Sequence, residues 1–141
     1  MDANELAADV ASAMLDAEGT GPAWGIVIEE VRAGYARVSM LVRPDMLNGH
    51  GIAHGGMIFA LADSAFAYVC NGANHASVAA QAGIVFLGQA RHGEILVAEA
   101  QEVAREGRAG VTRVAVRTSD GRTIAEFTGY SRTLGGTVID I

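Results

Sequence analysis

With 141 residues, half of them apolar, and a formal charge of −6, the chain has the size of one domain and enough apolar mass for a core, and its acidity offers a nucleic-acid backbone nothing to bind. All ten basic residues are arginine, which excludes Schiff-base chemistry, pyridoxal phosphate attachment and a P-loop lysine. The single cysteine, Cys70, lacks a partner for an internal disulfide and lies beside Phe66, Tyr68 and Val69, which predicts a buried, inert thiol.

In chain order, Asp2 and Glu5 form a capping-box pattern ahead of a helix with Leu6, Val10, Ala13 and Met14 on one face. This acidic start is no signal peptide. Trp24, Ile26 and Ile28 alternate with Gly25, Val27 and Glu29. Across a turn at Gly34, Tyr35 to Val42 reads as the second strand of a hairpin. The stretch RPDMLNGHGIAHGG, residues 43–56, reads as a loop. A helix apolar on all sides follows, from about Gly56 to Asn71, with Gly72 as its C-cap. Its apolar run is too short for a bilayer, so no membrane is expected, and the protein reads as soluble and cytoplasmic. The strand-like segments SVAAQAGIVFLG and EILVAEAQEVARE come next. Two more strands flank Asp120-Gly121, read as a two-residue hairpin turn. Helix, two strands, long helix and four strands predict an α+β fold. Residues 1–141 form one domain, in which an antiparallel six-stranded sheet curls around the long helix.

That helix carries one carboxylate, Asp63, in the stretch NGHGIAHGGMIFALADSAFAYVCN. An isolated charge in a dry core costs several kcal/mol. Either Asp63 is hydrogen-bonded to Ser64, Asn48 or backbone, or it faces a cleft. Gly55 and Gly56 open the helix, where free N–H groups stabilise negative charge and a second molecule can approach closely. A carboxylate together with an anion-stabilising helix end supplies the parts of an acyl-transfer hydrolase. At ~1.5 Å per residue Gly55 and Asp63 stand about 12 Å apart, too far to share one carbonyl. If they act together they come from different chains, as in a two-fold homodimer with antiparallel helices and two equal sites.

The same stretch resembles the signature of the hotdog-fold acyl-CoA thioesterases of the phenylacetate-degradation (PaaI) type, and GRTIAEFTGYSRTLGGT is similar to that group's last strand. The resemblance runs from about Trp24 to Thr137. It implies a hotdog fold, dimers paired into a tetramer, and hydrolysis of an acyl-CoA with an aromatic, phenylacetyl-like or medium-chain acyl group. It further implies that Asp63 is base or nucleophile and that the Gly55 N–H forms the oxyanion hole. Asn48 would position substrate or water, His54 would stand beside the thioester, and Ser64 would be the hydroxyl following the aspartate. Coenzyme A is then part of the substrate, and no cofactor is expected. Family members often carry an arginine-proline pair after the strand holding Phe86. Here the loop reads FLGQARHGE.

For substrate binding the candidates are Gly56, Phe59, Arg91 and Arg108, with Arg105 and Arg132 as further possible phosphate clamps. Phe59, Phe66, Tyr68 and Phe86 read mostly as core, with one or two of them available to line an acyl pocket. His50, His54, His75 and His92 lack a metal-ligand pattern, so no metal is expected. Two rivals use the same groove: a non-catalytic acyl-CoA-binding module, and a hotdog hydratase or dehydratase, which needs an acid–base pair.

Overall fold

The computed structural model describes residues 1–141. Helix α1 spans Ala3–Ala17, α2 Thr20–Trp24 and α3 Gly55–Cys70. The strands are β1 Val27–Arg32, β2 Tyr35–Leu41, β3 Ser77–Phe86, β4 Ile95–Glu106, β5 Ala109–Thr118 and β6 Thr123–Thr133. All pairings are antiparallel, in the order β1-β2-β4-β5-β6-β3. This is the predicted α+β hotdog arrangement, with β3 carried back to the far edge of the sheet beside β6.

The capping box forms as predicted: Glu5 N–H donates to Asp2 Oδ1 at 2.8 Å and Asp2 N–H to Glu5 Oε2 at 3.2 Å. The buried face of α1 is Ala7, Val10 and Ala11, one position round from the expected stripe. Trp24 closes the short helix α2 instead of opening a strand. In β1 a bulge between Ile28 and Glu30 shifts the register, so Ile28 and Val31, three residues apart, both pack against the core. The β5–β6 connection is longer than two residues. Gly121 N–H donates to Thr118 O and Thr118 N–H to Arg122 O, with Gly121 at φ +94°, a turn closed by a left-handed glycine.

Strands β2, β4 and β5 alternate cleanly. Ala36, Val38 and Met40, then Leu96, Ala98 and Ala100, then Val114 and Val116 are buried. Against them α3 buries Ile58, Leu61, Ala62, Ala65, Phe66, Tyr68, Val69 and Cys70. Gly129 allows the approach: a Cβ there would lie 2.6 Å from the Phe66 ring. Burial pushes the Cys70 thiol up to about 12, which fits an inert core group. Tyr68 is fully buried and donates its hydroxyl to Glu18 Oε1 at 2.7 Å.

The helix ends at Asn71, not through a left-handed Gly72. Asn71 is buried and ties α3 to β3: Ser77 N–H donates to its Oδ1 at 2.8 Å and its Nδ2 donates to Ser77 O at 3.1 Å. Gly72 is required for closeness instead, since a Cβ there would stand 3.5 Å from Ala7 Cβ and 3.3 Å from two helix carbonyls.

The sheet does not enclose α3 completely: Ala60, Asp63, Ser64 and Ala67, spaced as one helix face, stay half-buried. Neighbouring β3, paired only with β6, leaves Val78, Val85 and Phe86 about half exposed.

Candidate active site

The loop before α3 is built by its own polar groups. Asn48 Oδ1 accepts from His50 N–H at 2.9 Å and more weakly from Ile52 N–H at 3.4 Å. Its backbone N–H donates to Ile52 O at 2.8 Å. The Asn48 Nδ2 group has no partner in the chain. Ala53 N–H donates to Ala90 O and His54 N–H to Met46 O, both at 2.8 Å, which fixes where the helix starts.

His54 is the N-cap of α3, a role unusual for histidine. Its Nδ1 accepts from Gly56 N–H at 2.8 Å. An accepting Nδ1 carries no proton, so the neutral ring keeps its hydrogen on Nε2. Met57 N–H is taken by His54 O at 2.9 Å. Of the first three amides of the helix, Gly55 N–H alone has no acceptor within the chain. It lies at a groove of about 410 Å³ lined by Asn48, Ile52, Gly55, Ile58, Phe86 and Gln89, among others. A single N–H at a helix start, unsatisfied and open to a groove, is an anion-stabilising donor. Gly56, expected to touch substrate, has its N–H committed to His54 and so acts by holding that ring.

Asp63 lies two turns further along the same helix, outside this groove. No hydrogen bond reaches its carboxylate from Ser64, from Asn48 or from backbone. Burial alone pushes its pKa above the usual 3.8. Ser64 donates its hydroxyl to Ala60 O at 2.8 Å, which leaves its oxygen free only to accept. One chain therefore brings Asn48, His54, Gly55 and Gly56 together and holds Asp63 and Ser64 apart from them.

The other candidates divide. Phe59 is half-buried and packs edge-on against Phe127, ring centroids 5.3 Å apart, so much of its ring belongs to the core. Arg91 is exposed, and its backbone bridges to Ile52, beside the Asn48 loop. Arg108 is exposed at the opposite end of α3, where it borders a hollow of about 440 Å³ with Cys70, His75 and Arg105. Neither Arg91 nor Arg108 forms an ion pair, whereas Arg105 is bound to Glu102 at 3.2 Å. A further concavity of about 470 Å³ on the outer sheet face holds Tyr35, Glu99, Arg113, Arg117 and Glu126. Its charges answer one another, as in Arg113–Glu126 at 3.7 Å and the Tyr35 hydroxyl to Glu99 at 2.6 Å, and it presents no unpaired backbone donor.

Of the aromatics offered for core or acyl pocket, Phe86 is 50% exposed and its ring tip stands over Gly55. The signal was its place at the end of a strand, one residue before a Leu-Gly break.

A long helix held against an antiparallel hotdog sheet, with an open amide at its start, is the arrangement found here, and the comparisons with known proteins give its class. The thioesterase superfamily matches residues 50–125, and the chain belongs to that family. It is 40% identical over 128 residues to the acyl-coenzyme A thioesterase PaaI of Escherichia coli K12, covering 91% of each. The structure of the E. coli PaaI protein from the phenylacetic acid degradation operon superposes with a TM-score of 0.94 at 38% identity, over 96% of this chain and 99% of that one. A hypothetical thioesterase of Streptococcus pneumoniae TIGR4, solved with coenzyme A, superposes with a TM-score of 0.76 at 26% identity, over 79% of this chain and 88% of the other. No helix is long and apolar enough to cross a membrane.

Proposed function

We propose that the chain hydrolyses acyl-CoA thioesters of aromatic, phenylacetyl-like or medium-chain acids, in a site shared by two copies. The unpaired Gly55 N–H carries this reading. The thioester oxygen accepts from it, and the donor strengthens its hold as the carbonyl becomes a tetrahedral oxyanion. One such donor is worth about 3 kcal/mol in the transition state.

The second group is Asp63 of the partner subunit. Two α3 helices packed antiparallel across their half-open faces bring each Asp63 to the other's first turn. That face offers only small neighbours, Ala60, Ser64 and Ala67, so the helices can approach closely. The exposed Val78 and Val85 of β3 and its unpaired edge support the same contact, since such an edge is ordinarily covered. The partner's positive helix end then offsets the unfavourable burial of the carboxylate.

In the reaction a water adds to the carbonyl carbon while Asp63 takes its proton; alternatively the carboxylate adds directly and water cleaves the resulting anhydride. The oxyanion held by Gly55 collapses, the C–S bond breaks, and coenzyme A leaves as a thiolate that needs little protonation. General-base assistance of this kind contributes roughly 10²–10⁴ in rate. Asn48 Nδ2 is the free side-chain donor for the substrate or the water. His54 orients the turn through Gly56 and presents Nε2–H outward. Ser64, able only to accept, lies one residue from the carboxylate. Coenzyme A enters as part of the substrate, its phosphates met by the unpaired guanidinium of Arg91 and, from the other subunit's helix end, Arg108. Dimers pair into a tetramer, and the setting is cytoplasmic, in keeping with the lone buried thiol.

The test is release of coenzyme A thiol from a panel of acyl-CoAs. Turnover of phenylacetyl-CoA supports the reading. Tight binding of acyl-CoA without thiol release would mean a binding module, and hydration of crotonyl-CoA in its place would mean a hydratase.

A further inference from the structure

Phe86 closes β3 opposite Ala125 of β6, and half of its surface is open to solvent (50%). A ring held half in water at the lip of a groove does little for the core. What it does touch is specific. A Cβ built on Gly55 would lie 3.0 Å from Cζ of the ring and 3.3 and 3.5 Å from Cε1 and Cε2. The ring thus stands tip-first over the one helix residue whose amide is unpaired. A carbonyl that accepts from that amide enters the groove that the ring lines. The remaining apolar wall is Ile52, Ala53, Ile58 and Leu87, with Asn48 and Gln89 as the polar members.

We infer that Phe86 is the specificity-determining residue of the acyl subsite: its ring forms the wall on which a flat apolar acyl group packs, favouring aryl over short acyl groups. The inference rests on the thioester-hydrolase reading at Gly55. The ring is held at the strand end, and its exposed half is available to the substrate.

The experiment compares kcat and KM for phenylacetyl-CoA, hexanoyl-CoA and acetyl-CoA in the wild type, Phe86→Ala and Phe86→Tyr, with molar mass checked by light scattering. Aromatic contact and apolar packing of this size discriminate by about tenfold. Phe86→Ala is therefore expected to lower kcat/KM for phenylacetyl-CoA by roughly that factor through KM, with hexanoyl-CoA losing less and acetyl-CoA changing within about twofold. Phe86→Tyr, which keeps the ring, is expected to restore the aryl preference. An equal loss on all three thioesters, or none on phenylacetyl-CoA, would overturn the inference and leave Phe86 a structural residue. A wild-type chain inactive on every thioester would overturn the functional reading beneath it.

Discussion

The two flanks of α3 are built differently. On the side of β2, β4 and β5, inward residues are buried almost to zero exposure and outward residues form ion pairs, such as Arg37–Glu30 at 3.6 Å and Arg117–Glu99 at 4.0 Å. On the side of β3, apolar residues face water from both faces of the strand: Val78 at 47%, Val85 at 59%, Phe86 at 50%. The first flank is complete within one chain. The second carries the open amide, the unpaired carboxylate and the half-open helix face together. Burial is concentrated in the sealed flank, and the proposed chemistry falls at the unsealed one.

Substitutions on the two flanks should therefore separate activity from stability. The largest effect is expected from Asp63→Asn, which should lower kcat for a phenylacetyl-CoA substrate by ~10²–10⁴ or more without lowering Tm. Burial raises the folded-state pKa of Asp63 above its ordinary 3.8. As pH rises through that window, the unfolded chain loses its proton before the folded one does, so the charge weighs against folding at neutral pH. The amide variant removes that charge, and Tm at pH 7 is expected unchanged or higher; a clear fall would place Asp63 among structural residues.

Gly55→Pro comes next. Proline suits the first helical position, and His54 already has the extended backbone, φ −62° and ψ 136°, that a following proline requires. The change deletes one N–H and keeps the helix, and its Cβ, 3.0 Å from the Phe86 ring tip, requires that ring to shift by a few tenths of an ångström; kcat should drop by at least about 10²–10³-fold. Circular dichroism checks that the helix persists.

On β6, between β5 and β3, Gly129→Ala forces a Cβ against Phe66 at 2.6 Å and should cost about 1–3 kcal/mol by overpacking, read as a lower midpoint in urea with little change in KM. Smallest is Asp2→Ala, which removes the α1 cap and should cost about 1 kcal/mol with activity intact.

Much of the sealed flank was legible in the sequence, because period-2 alternation in β4 and β5 and the capping box of α1 are local patterns. The misreadings occur where local pattern loses to packing. Trp24 continued an alternation that Gly25, left-handed at φ +68°, breaks. The bulge in β1 answers to sheet curvature, which no short window contains. Asp63 was recognisable as an anomaly by its residue type alone. The His54 side-chain cap was not, since histidine is an uncommon N-cap and only the turn of the loop aims Nδ1 at Gly56. Which aromatic lines the groove was not legible, because the exposure of Phe86 depends on what stands beyond the strand end.

The most direct test of a site shared across two chains is subunit complementation. Asp63→Asn and Gly55→Pro chains, each inactive alone, are unfolded together, refolded and assayed for thiol release. A mixed dimer holds one intact pairing of Gly55 with Asp63, so random mixing should recover roughly a quarter of wild-type activity. No recovery, with mixed dimers demonstrated by native mass spectrometry, would contradict the shared site.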